Sequence, residues 1–152
     1  MDYSYHVKDE NATTELALRI AKLLKPNDVI LLKGKLGSGK TFFAKGIGLG
    51  LKVNETVISP TFNIVRCYFK GILPLYHIDA YRLEGLKQDI GLDEYFEANG
   101  VTLIEWPEFI DYILPSSYLE INIDIVDECE RDYRFKAVGK RYEELLEAIR
   151  DE

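Results

Sequence analysis

Four apolar residues, Val29-Ile30-Leu31-Leu32, are followed one residue later by GKLGSGKT (residues 34–41), and then by a segment with helical character. This order constrains the fold more than any other feature of the chain. A short unbroken apolar run reads as a strand buried on both faces, the kind found in parallel sheets covered by helices. Gly34, Gly37 and Gly39 admit backbone conformations closed to other residues, so successive N–H groups can converge on one anion. A helix starting at Lys40 adds its unpaired N–H groups and the positive end of its dipole. Residues 34–41 fit G-x-x-x-x-G-K-[ST] at every position. The reading is a phosphate loop in which Leu36, Gly37, Ser38, Gly39, Lys40 and Thr41 hold a nucleotide. Lys40 would reach the β- and γ-phosphates, and the Thr41 hydroxyl would ligate Mg²⁺.

The remaining pattern fills in an α/β fold. Residues 13–24 read as a helix capped by Thr13 or Thr14, with Leu16, Ile20, Leu23 and Leu24 at helical spacing and Pro26-Asn27 ending it. Residues 40–51 read as a second helix, weakened by Gly46, Gly48 and Gly50. Residues 64–69 and 73–78, parted by Lys70-Gly71, predict a hairpin, and residues 101–104 predict another buried strand. Residues 119–126 alternate, as do Tyr133, Phe135 and Ala137, with the acidic stretch 127–132 turning between them. Residues 141–150 close the chain as an amphipathic helix. The expectation is one P-loop NTPase-like domain over residues 1–152, with a central mixed sheet, a parallel core plus antiparallel strands, flanked by helices.

Charge and composition narrow the function. The net charge of −7 argues against a chain that grips DNA or RNA by itself, because phosphate contacts need Lys and Arg. The charge is uneven, however: residues 29–52 carry five lysines (Lys33, Lys35, Lys40, Lys45, Lys52) and no acid. That cluster surrounds the glycine loop and marks a local anion site. No run approaches the ~20 apolar residues of a membrane span, and the opening residues lack the apolar core of a secretion signal. Cys67 and Cys129 stand alone, without metal or redox spacing, which fits a reducing cytoplasm.

The nucleotide is read by elimination. Asp79 is followed by Ala80, Tyr81 and Arg82 rather than DxxG, and no NKxD occurs, so guanine is disfavoured and ATP is expected. Magnesium needs a further anchor, an acid at the carboxyl end of a neighbouring strand. VTLIE supplies Glu105 and LYHID supplies Asp79. Glu105 is assigned to the metal, directly or through water; Asp79 is assigned to the metal shell or to orienting the attacking water. The two roles are exchangeable at this level.

The succession GKLGSGKT, SPTF (residues 59–62), HIDAYRL (residues 77–83), GLDEYF (residues 91–96) and LIEWPE (residues 103–108) resembles the TsaE family, also called YjeE. The likeness runs in the family's order over most of the chain. It implies a bacterial ATPase needed for threonylcarbamoyladenosine, the modified base next to the anticodon in tRNAs reading codons that begin with A. It also implies action with TsaB and TsaD, which transfer the group to tRNA, so tRNA would be met only through the complex. Residue by residue, it implies that Ser59-Pro60-Thr61 is a switch loop near the γ-phosphate, with Thr61 offering a hydroxyl. Asp79 would belong to a second switch-like element, Glu105 would approach Mg²⁺ and Trp106 would lie beside the nucleotide. Glu10 and Arg131 would help hold the adenosine. Without the resemblance, Ser59-Pro60-Thr61 reads as a turn and Trp106 as a core aromatic.

One departure from the family pattern is Phe42, where many members carry a second hydroxyl residue after the loop threonine. Two other functional classes fit a phosphate loop: a small-molecule or nucleotide kinase, which would need an acceptor site and an arginine-bearing lid, and a nucleotide-dependent scaffold. Arg131 and Arg134 form the only short segment suited to a lid.

Overall fold

The computed structural model describes residues 1–55, 57, 64–86 and 90–151. In chain order the regular elements are β1 (Asp2–Val7), α1 (Glu10–Leu23), β2 (Val29–Lys33), α2 (Lys40–Gly50), β3 (Val65–Tyr68), β4 (Leu75–Asp79), β5 (Val101–Glu105), β6 (Tyr118–Ile125), β7 (Arg131–Val138) and α3 (Lys140–Asp151). Three 3₁₀ segments, Tyr81–Leu83, Leu92–Glu97 and Pro107–Ile113, complete them. The strands form one seven-stranded sheet in the order β1-β7-β6-β2-β5-β4-β3. β2 pairs in parallel with both β5 and β6, and β4 continues the parallel core beside β5. β3, β7 and β1 join antiparallel. This is the mixed α/β sheet expected from the sequence.

β2 is apolar throughout because both its faces are covered. Ile30 and Leu32 pack with α1, α2 and α3, whereas Val29 and Leu31 pack with Leu83, Leu92, Phe96 and Ile110 of the 3₁₀ segments. β6 and β7 are covered on one face only. Leu119, Ile121, Ile123, Tyr133 and Phe135 point into the core, and Glu120 on the open face pairs with Lys33 at 3.0 Å. Their alternation follows directly from that one-sided burial.

Two local features differ from expectation, and a third, the glycines of α2, gains its reason. β1 was unforeseen, although Tyr3, Tyr5 and Val7 alternate with Asp2, Ser4 and His6. α1 begins earlier than the threonines suggest, because Asp9 is its N-cap and accepts the Ala12 N–H at 2.8 Å. Thr13 and Thr14 instead lie inside the helix, their hydroxyls donating to the carbonyls of Asp9 and Glu10. α2 tolerates its glycines for a packing reason: a Cβ at Gly46 would sit 2.6 Å from Ala17 Cβ, and one at Gly50 would collide with Ala21. The helix-weakening residues let α2 lie close against α1.

The carboxyl ends of β2, β4, β5 and β6 share one edge of the sheet, where open α/β sheets receive ligands. The start of β7 and the end of β1 reach that edge too, since Val7 pairs with Arg131.

Candidate functional site

The loop after β2 takes the conformation its glycines permit. Gly37 and Gly39 have φ of 80° and 105°, and Gly39 is the N-cap of α2. A side chain at either position would be strained even though open space surrounds both. Gly39 carries no capping side chain, so no side chain of its own competes for the N–H groups of the first turn.

A cavity of about 380 Å³ opens beside the loop, lined by Leu36, Gly37, Gly39, Lys40, Thr41 and Phe42 on one side and by Asp79, Tyr81, Glu105 and Trp106 on the other. Asp79 and Glu105 are register partners across β4 and β5, which places two strand-end acids together. Thr41 Oγ1 donates to Glu105 Oε2 at 3.3 Å. The same oxygen lies 2.6 Å from His77 Nε2. Asp79 accepts the Tyr81 N–H at 3.0 Å, and burial raises its pKa above the ordinary carboxylate value, with the nearby Glu105 charge adding to the rise.

Lys40 is nearly buried. Its Nζ donates to the Gly34 carbonyl at 2.7 Å and sits 3.5 Å from the centre of the Trp106 ring. Burial lowers its pKa, and the neighbouring Glu105, Glu108 and Asp79 charges oppose that fall. Trp106 itself has φ of 58°, a left-handed conformation that costs a non-glycine residue energy and often marks a functional position. Its ring stacks on Phe109 with centroids 5.6 Å apart and meets the edge of Tyr81 at 5.0 Å. Pro107 follows at the first position of the next 3₁₀ segment, where its missing N–H costs nothing.

A second, smaller cavity of about 70 Å³ shares Gly39 and Phe42 with the first and adds Ser38, Glu10 and Arg131. Arg131 is a clasp: its Nε–H donates to the Ser38 carbonyl at 2.8 Å. Its Nη1 donates to the carbonyls of Asp127, Glu128 and Glu130. The hairpin turn is thereby tied to the glycine loop after β2.

The structure therefore gathers Lys40, Thr41, Glu105, Asp79 and Trp106 around one cavity, with Leu36, Gly37 and Gly39 on its rim. It gathers Ser38, Glu10 and Arg131 around the other. Thr61 and the rest of residues 59–62 lie outside the described residues. His77, Tyr81 and Phe109 gained no role from sequence. The signal for His77 was present: it is two residues from Asp79 on an otherwise apolar strand, hence on the same face.

The family model for the threonylcarbamoyl adenosine biosynthesis protein TsaE matches residues 7–133. The chain belongs to the TsaE family. The tRNA threonylcarbamoyladenosine biosynthesis protein TsaE of Bacillus subtilis is 47% identical over 137 residues, covering 90% of this chain and 87% of that protein. The TsaE of a Nostoc species is 38% identical over 128 residues, covering 81% and 78%. The crystal structure of Bacillus subtilis YdiB superposes with a TM-score of 0.88 at 39% identity, covering 99% of this chain and 95% of that one.

In this TsaE-family chain the donors at the first cavity are a hydroxyl and carboxylates, hard oxygen ligands suited to Mg²⁺. Among the described residues no group of three His, Cys, Asp or Glu side chains could hold a metal alone. Among the described residues no helix is long and apolar enough to cross a membrane.

Proposed function

We propose that this chain is a single-domain, Mg²⁺-dependent P-loop ATPase that serves threonylcarbamoyladenosine modification of tRNA in the cytoplasm, acting with TsaB and TsaD. The biosynthetic role is supported by the names of its relatives. The ATPase reading rests chiefly on one observation: Lys40, Thr41, Glu105 and Asp79 surround one cavity at the carboxyl edge of the sheet.

The division of labour is read from the motif and the family resemblance, with the placement of the described residues in support. The loop N–H groups and Lys40 bind the β- and γ-phosphates. Thr41 and Glu105, already joined through Glu105 Oε2, are set to hold the magnesium that accompanies the nucleotide. When bound, that ion would neutralise phosphate charge and polarise the group being transferred. Asp79 orients the attacking water or completes the metal shell, and Thr61 contributes a hydroxyl from a switch loop. Trp106 walls the phosphate side. Glu10 and Arg131 hold the adenosine side through the second cavity. Binding and hydrolysis then drive or reset a complex whose other subunits carry the tRNA.

The test is a steady-state ATPase titration of the purified protein against TsaB and TsaD. Slow turnover alone and a marked rise with both partners is the expected result. Full-speed hydrolysis unchanged by partners, or phosphate transfer to a small acceptor, would overturn the subunit reading.

A further inference from the structure

His77 is a titratable side chain with no solvent exposure, placed in the middle of β4 between Tyr76 and Ile78. Burying an imidazole is unfavourable unless its nitrogens find partners. Here only one does. Nε2 lies 2.6 Å from Glu105 Oε2, while Nδ1 has no hydrogen-bond partner among the described residues. A leucine at this position would fill the space without leaving a buried polar atom unsatisfied, so packing alone does not account for the histidine. What the histidine adds is a donor aimed at one carboxylate oxygen.

That oxygen is doubly engaged, because Thr41 Oγ1 donates to it as well. Glu105 lines the main cavity, and its side chain is only 5% exposed, so its rotamer is set by these two contacts and by packing. With Oε2 held from behind by His77 and from the side by Thr41, Oε1 is the oxygen that, among the described residues, is left for a ligand. A carboxylate accepts hydrogen bonds and donates none, so Nε2 carries the hydrogen.

We propose that His77 is a positioning residue for Glu105: its Nε2–H fixes the carboxylate so that Oε1 meets the magnesium accompanying the nucleotide. The proposal rests on the ATPase reading above. Hydrogen-bond partners behind ligating carboxylates orient them, and their loss typically lowers metal affinity by ~10–100-fold. The effect of His77 should therefore be felt in the magnesium requirement, not in nucleotide binding as such.

The experiment uses the full chain and calorimetry with ATP, first in EDTA and then across a magnesium titration. Three variants are compared: His77→Leu removes the donor and keeps bulk, His77→Gln returns an amide N–H near the Nε2 position, and His77→Asn carries an amide too short to reach Glu105. The expected result is unchanged affinity in EDTA for all three. The magnesium concentration giving half the affinity gain should rise by ~10–100-fold in the Leu and Asn variants and return towards wild type in the Gln variant. If His77→Leu fails to fold, the Gln and Asn pair carries the same comparison. A magnesium midpoint unchanged in the Asn or Leu variant overturns the proposal. So does an equal loss of affinity with and without magnesium, which would mark a structural residue. A wild-type protein that binds no ATP, or binds it indifferently to magnesium, overturns the ATPase reading and this proposal with it.

Discussion

Replacing Lys40 by alanine tests the phosphate loop at its single most informative atom. The ammonium is engaged within the fold, bonded to the Gly34 carbonyl at 2.7 Å and lying 3.5 Å from the Trp106 ring centre. Its contribution to binding is thus a difference between two bound states. A charge-assisted hydrogen bond contributes ~1.5–3 kcal/mol, and the ring contact it gives up is worth ~0.5–2 kcal/mol. Exchanging the ring for one phosphate bond leaves a net gain of about 1 kcal/mol, and exchanging it for two leaves about 3–4 kcal/mol. At 1.4 kcal/mol per decade, Lys40→Ala should weaken ATP binding by roughly 5- to 700-fold and abolish turnover. Calorimetry gives the affinity, and Trp106 fluorescence gives a second reading from the far side of the same contact. The unfolding temperature serves as the control that separates lost binding from lost fold. Wild-type affinity in a folded Lys40→Ala protein would refute the phosphate-loop assignment.

Asp79→Ala should retain ATP but lose hydrolysis, whereas Glu105→Ala should in addition lose the magnesium dependence of nucleotide affinity; matching profiles in binding and turnover assays would dissolve the division between the two acids. Gly46→Val should destabilise the protein by ~1–3 kcal/mol in urea unfolding, since its Cβ would press on Ala17 Cβ from 2.6 Å and overpack the α1–α2 contact. An unchanged unfolding midpoint would show that the helices separate freely. His6 lies between Asp132, at 2.6 Å, and Glu130, at 3.2 Å, and the Asp132 hydrogen bond leads in raising its pKa above 6.5. A raised folded-state value stabilises most below the unfolded pKa and is lost as pH climbs through the folded one. The urea midpoint should therefore decline above pH 6.5, and His6→Gln should flatten that decline; identical pH profiles would remove His6 from the account.

What the sequence made legible divides along physical lines. The glycine loop and the start of α2 were readable because both are set by the local backbone: glycine spacing and a helix start are visible without knowing any distant contact. β2, β6 and β7 were readable because burial on two faces or one leaves a direct imprint on the apolar pattern. Asp79 and Glu105 were readable as strand-end acids, but their pairing across β4 and β5 depends on strand order, which periodicity does not encode. The capping of α1 went to Asp9 over the threonines because either residue type suits a cap, and tertiary placement of the incoming β1 decides between them. The His77 contact was the least accessible. Its place on the same face as Asp79 was visible locally, but its partner was not, because the Glu105 oxygen it meets lies 28 residues away.

The charge balance of the main cavity bears on why such a chain would work with partners. Among the described residues that line it, Lys40 is the only cation, and it faces two carboxylates, Asp79 and Glu105. Phosphoryl transfer gathers charge on the γ-phosphate oxygens, and P-loop enzymes meet it with an arginine supplied in cis or in trans, worth ~10³–10⁵ in rate. Arg131 is poorly placed to be that residue. Its guanidinium already makes four hydrogen bonds, one of which supports the Ser38 carbonyl of the loop, so moving it would undo the loop it is meant to assist. In the proposed reading a further positive charge is supplied in trans by a partner subunit. The same arrangement reconciles a net charge of −7 with a role in tRNA modification. An acidic subunit need not touch the tRNA if it binds the protein that does, and its own acidity then favours a basic partner over the nucleic acid.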